Sequence, residues 1–78
     1  MQAVIPAAGR GTRLGELTDD RPKGLVDVAG RPLLSHVFTT AVEAGATELV
    51  VIVGYEAAQI VDRFGDTFDS APITYVHQ

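Results

Sequence analysis

The chain of 78 residues contains no cysteine, which excludes a disulfide framework and a thiolate nucleophile. That lack fits a reducing compartment, and a cytoplasmic location is expected. Basic residues are few: six Lys and Arg against ten Asp and Glu give a net charge of -4. This is the wrong sign for a protein that lives on nucleic-acid backbone or anionic membrane, so neither partner is expected, and any anion site must concentrate its cations locally. Lys23 is the only lysine; the other five bases are arginines. No long apolar run occurs, and Met1 to Pro6 lacks the basic region and the length of a signal peptide or membrane span. Nor is there length for two domains, so residues 1–78 are expected to form one unit or a piece of one. A chain this short buries roughly 60% of the surface its unfolded form exposes.

What is present alternates between strand and helix signals. Ala3-Val4-Ile5 is a short apolar run closed by Pro6, as expected of a buried parallel strand. From Ala7 to Pro22, Gly9, Gly11 and Gly15 break any periodicity and predict a long ordered loop, the kind that carries function. Leu25 to Val28 alternates briefly before the turn signal Ala29-Gly30, and Pro32 then opens a helix from Leu33 to Ala44. Leu34, Val37, Phe38, Ala41 and Val42 fall on its apolar face, His36, Thr39, Thr40 and Glu43 on the other, and Gly45 sits where a left-handed cap belongs. Leu49 to Val53 reads as a second strand, Ala57, Ile60, Val61 and Phe64 as a second amphipathic helix, and Pro72 to Val76 as a third strand. No internal repeat interrupts this order.

Strand, loop, helix, strand, helix, strand predicts an α/β fold with three mainly parallel strands, right-handed crossovers and helices on the sheet faces. Ligands of open parallel sheets bind beyond the carboxyl ends of the strands. Three segments are expected there: the glycine-rich loop, Gly54-Tyr55 and His77-Gln78. In the loop, Gly9 and Gly11 allow backbone amides to turn inward as an anion nest, with the Arg13 fork beside it. Its spacing fails two familiar nucleotide motifs. A dinucleotide fingerprint needs a sixth-position glycine where Leu14 stands, and a P-loop needs Ser or Thr after a lysine that here precedes Gly24.

Ala7-Ala8-Gly9-Arg10-Gly11-Thr12-Arg13-Leu14 followed by Pro22-Lys23 resembles the signature of the sugar-phosphate nucleotidyltransferases, and Leu17-Thr18 also matches. Val28-Ala29-Gly30-Arg31-Pro32-Leu33-Leu34, and Val53-Gly54-Tyr55 with Ile60, resemble the same family's next blocks. The resemblance implies the N-terminal part of a glycosyltransferase-A-like, Rossmann-like fold that joins a nucleoside triphosphate to a sugar 1-phosphate, releasing pyrophosphate with magnesium. By the same resemblance, backbone around Ala8 and Gly9 meets the base, and Gly11, Thr12 and Arg13 meet the phosphates. Lys23 contacts the reacting phosphates, and Gln78 sits where a base-reading glutamine is found. Arg13 and Lys23 are thus the candidate catalytic residues, equipment suited to chemistry that is mainly positioning and charge stabilisation.

Outside those positions the residues have plainer readings. His36 reads as a solvated helix residue, Asp19-Asp20 as loop residues, and no metal ligand is identified. The family's later glycine-rich segment and magnesium aspartate do not occur, so the 78 residues alone are expected to be inactive. Strand one is expected to offer an open edge through which copies associate. A stand-alone nucleotide-binding or regulatory module and a non-functional truncated product remain the alternatives.

Overall fold

A computed structural model describes residues 1–8 and 22–78. The elements are β1 (Gln2–Pro6), a single 3-10 turn (Lys23–Leu25), β2 (Asp27–Val28), β3 (Arg31–Pro32), α1 (Leu33–Glu43), β4 (Glu48–Val53), α2 (Ala57–Phe64), β5 (Thr67–Phe68) and β6 (Ala71–His77). The main sheet has the order β1-β4-β6-β5, and β2 and β3 form a separate antiparallel ribbon. β1, β4 and β6 are parallel, as expected, while β5 adds an antiparallel edge to β6 that the sequence reading lacked.

Period-two alternation decides which side chains meet. Ile5 and Ala7, then Leu49, Val51 and Val53, then Ala71 and Ile73 point to one side of the sheet, where Leu34, Phe38 and Ile60 close the core. Phe38 is fully buried at the centre. Its ring meets Phe64 of α2 edge-on at 4.9 Å between centroids and Phe68 of β5 at 5.3 Å, so one side chain ties α1, α2 and β5 together. Both helices therefore lie on the same face, not on opposite faces. The strand order supplies the reason: β1 to β4 and β4 to β6 step the same way, and right-handed crossovers in one direction put their helices on one side. No described element covers the other face, where Val4 is 58% and Val76 45% exposed.

α1 ends as its sequence suggests. Gly45 N–H donates to Val42 O and Ala46 N–H to Ala41 O, both at 3.0 Å, the paired bonds of a Schellman ending. Its start is less expected. Pro32 caps the helix without a side-chain bond, and Leu33 N–H donates instead to Val26 O at 2.8 Å. Ser35, buried on the helix, donates to Pro32 O at 2.9 Å and accepts from Arg31 Nε at 3.1 Å. Arg31 reaches further, to Ser35 O and Thr39 Oγ1. His36 is half-buried, not solvated, its Nε2 lying 2.6 Å from Val28 O. These contacts fasten the β2–β3 ribbon to the start of α1. Val37 and Val61, expected to be buried, are both 36% exposed at the margins of their apolar stripes.

β1 is an edge of the sheet among the described residues. Ala7 N–H points to Ile52 O on β4 at 2.7 Å, so by alternation Gln2, Val4 and Pro6 turn their backbone groups outward. Proline has no N–H to offer there, which shortens the edge available for pairing. At the opposite side Tyr75 donates to Gly65 O at 2.6 Å and holds the end of α2. Burial, then the negative charge of Asp66, raises the Tyr75 phenol above its ordinary value of 10.0.

Candidate nucleotide-binding site

Register brings three predicted segments into one row. Pro6 pairs with Ile52 and Val53 with His77, so the same register continued past the strand ends sets Ala8, Gly54 and Gln78 side by side at the carboxyl edge. Main-chain bonds hold them there. Tyr55 N–H donates to Ala8 O at 3.4 Å, and Gln78 N–H to Val53 O at 2.8 Å. Gln78 is therefore fixed through its backbone to the central strand, although it is the final residue of the chain.

Beside this row lies a cavity of about 590 Å³ lined by Ala7, Ala8, Gly24, Leu34, Val37 and Gln78, among others. Two residues assigned to nucleotide binding, Ala8 and Gln78, thus face one space. Gly24 brings the Lys23–Leu25 turn to its wall. The sequence reading gave Gly24 no role, and geometry shows one: a Cβ there would lie 2.6 Å from both Cγ and Cδ1 of Leu34. Leu34 is buried against the core, so only a residue without a side chain lets the turn that begins at Lys23 sit this close to α1. Pro22, whose side chain is fully buried, and Leu25 N–H donating to Pro22 O at 3.0 Å anchor that turn from below.

Gly9, Gly11, Thr12 and Arg13 lie outside the described residues, as do Asp19 and Asp20. The described residues on either side of them are Ala8, which lines the cavity, and Pro22, which precedes the Lys23–Leu25 turn. Among the described residues, no three His, Asp or Glu side chains come together as a metal cage. His77 is exposed at the last paired position of β6.

Parallel strands whose carboxyl ends carry a glycine-rich segment and share a cavity define an α/β nucleotide-site architecture. More narrowly, the chain belongs to the family of the MobA-like NTP transferase domain, which it matches over residues 3–76. It is 53% identical over 78 residues to the UTP–glucose-1-phosphate uridylyltransferase AglF of Haloferax volcanii, covering 100% of this chain and 32% of that protein. Among solved structures it resembles the CTP:phosphocholine cytidylyltransferase LicC of Streptococcus pneumoniae, with a TM-score of 0.75 and 34% identity over 99% of this chain and 32% of that one. HddC from Yersinia pseudotuberculosis, complexed with GMP-PN, superposes with a TM-score of 0.82 and 28% identity over 99% of this chain and 35% of HddC. The α/β nucleotidyltransferase fold expected from the sequence is thereby established. The chain spans about a third of the length of these relatives. Among the described residues no helix is long and apolar enough to cross a membrane.

Proposed function

We propose that this chain is the nucleotide-binding opening of an enzyme that transfers a nucleotidyl group from a nucleoside triphosphate to a sugar 1-phosphate. The observation that carries the reading is the convergence of Ala8, Gln78 and the turn bearing Lys23 around one cavity at the carboxyl edge. In the reaction an oxygen of the sugar phosphate attacks the α-phosphorus of the triphosphate. A new P–O bond forms, the bond to the β-phosphate oxygen breaks, and pyrophosphate leaves with the electron pair. No protein nucleophile is needed; the protein's part is to hold the reactants in line and stabilise developing negative charge.

In this reading backbone at Ala8 and Gly9 borders the base, the amides near Gly11 and Thr12 cradle phosphates, and Arg13 and Lys23 counter their charge. Gln78 reads the base edge. Magnesium, brought with the triphosphate, would supply neutralisation of the phosphate charge. No described residue is given the role of its ligand. The relatives' nucleotides include UTP, CTP and GMP-PN, and their acceptors glucose 1-phosphate and phosphocholine, so the base and acceptor are left unassigned. The reading places the chain in the cytoplasm and expects no catalysis from residues 1–78 alone. Self-association through the outer edge of β1 belongs to the same proposal, limited to the donors of Gln2 and Val4; light scattering that shows a monomer at all concentrations contradicts it. Titration with UTP, CTP and GTP in the presence of magnesium tests the central assignment. Binding is expected, and the absence of binding to every nucleotide contradicts it.

A further inference from the structure

Gly54 occupies the middle of the carboxyl-edge row, between Ala8 on β1 and Gln78 on β6. A glycine after a strand usually serves only to end it. Here its surroundings are specific. A Cβ on Gly54 would lie 3.1 Å from the Ala8 Cβ, 3.3 Å from the Ala8 carbonyl oxygen and 3.5 Å from the Ala8 Cα. Ordinary carbon–carbon contacts sit near 3.5–4.0 Å, so the Ala8 Cβ would have to give way by a few tenths of an ångström, with its carbonyl oxygen also held tightly. The neighbouring Tyr55 N–H bond to that same Ala8 oxygen is already 3.4 Å long. Ala8 can yield only by moving its main chain, because the crowded atoms are its own Cβ and carbonyl group.

We propose that Gly54 is a positioning residue of the nucleotide site: by lacking a side chain it sets how close Ala8, which forms part of the cavity wall, lies to β4. The role rests on the nucleotide reading given above. A side chain at position 54 pushes Ala8 away from β4 and so moves the part of the cavity wall that Ala8 forms.

The test compares the full chain with its Gly54→Ala and Gly54→Ala/Ala8→Gly variants. Amide NMR spectra are followed during titration with UTP and magnesium, and urea midpoints are measured in parallel. Gly54→Ala is expected to shift the Ala8 and Tyr55 amides and to weaken UTP binding roughly tenfold. Removing the Ala8 Cβ in the double variant takes away the closest contact and is expected to recover most of that loss. Recovery of affinity without a matching change in the urea midpoint separates positioning from stability. Equal UTP affinities for the parent and Gly54→Ala overturn the role of Gly54 alone, as does a loss the double variant leaves untouched. A parent chain whose amides do not respond to UTP, CTP or GTP overturns the nucleotide reading, and the role with it.

Discussion

Replacing Phe38 with alanine tests how the helices are joined to the sheet. The ring is fully buried and touches Phe64 of α2 and Phe68 of β5 edge-on, so truncation removes contacts from α1 to both elements at once. Phe→Ala changes in cores cost about 3–5 kcal/mol. At about 0.05–0.15 kcal/mol per residue, a 78-residue chain has roughly 4–12 kcal/mol of stability to lose. Phe38→Ala should therefore remove between about a quarter and all of it, lowering the urea midpoint sharply and, at the low end of that stability range, unfolding the chain without denaturant. Phe38→Leu keeps most of the volume and loses chiefly the two ring–ring contacts, each about 0.5–1.5 kcal/mol, so it should fold with a lowered midpoint. Urea unfolding followed by circular dichroism at two protein concentrations measures both. A Phe38→Ala chain within about 1 kcal/mol of the parent would refute the idea that this aromatic cluster holds the layers together.

Gly24→Ala should cost about 1–3 kcal/mol, because its Cβ would overlap the buried Leu34 side chain, which must shift out of its core packing to admit it; urea unfolding checks this. Tyr75→Phe should cost about 0.5–1.5 kcal/mol near neutral pH through loss of the bond to Gly65 O. The raised Tyr75 value means that its contribution is fully present below pH 10.0 and is lost as pH rises through the higher folded-state value. Parent and Tyr75→Phe should therefore differ in urea midpoint at about pH 8 and converge towards about pH 11, with a constant difference contradicting the assignment.

The larger elements were legible because each carries a long, unambiguous pattern. Leu49 to Val53 is β-branched and apolar without a break, and Leu34, Phe38, Ala41 and Val42 repeat at helical spacing up to Gly45. The two-residue strands carry no period to read. β5 and β6 are joined through Asp69 and Ser70, at φ 49° and 73°, a left-handed pair that sequence usually announces with Asn-Gly or Asp-Gly. The one-sided placement of the helices required the strand order, which single-strand patterns do not contain. Ser35 has no reading in the sequence: its bonds to Pro32 O and Arg31 Nε are local to the helix start, and a serine three residues after a proline carries no signal of them.

At the site, Ala8 and Gln78 could be brought to one edge in advance because parallel strands deliver their carboxyl ends together. Gly24 has no role in the sequence reading, and Gly54 is placed at the ligand edge only as part of the segment that ends its strand, for a shared reason. A glycine whose importance lies in how near another residue comes, Leu34 in one case and Ala8 in the other, looks in sequence like any turn or strand end.

The central claim is a triphosphate site at the carboxyl edge of β1, β4 and β6. Its most direct test is amide NMR of the full chain titrated with UTP and magnesium, repeated with Lys23→Ala. Shifts should centre on Ala8, Lys23, Gly24, Gly54 and Gln78. Lys23→Ala should weaken binding about 10–100-fold, the equivalent of one charge-assisted hydrogen bond of about 1.5–3 kcal/mol. Shifts centred instead on the groove formed by Leu25, Asp27, Gly30 and Arg63, or an affinity indifferent to Lys23, would contradict the account.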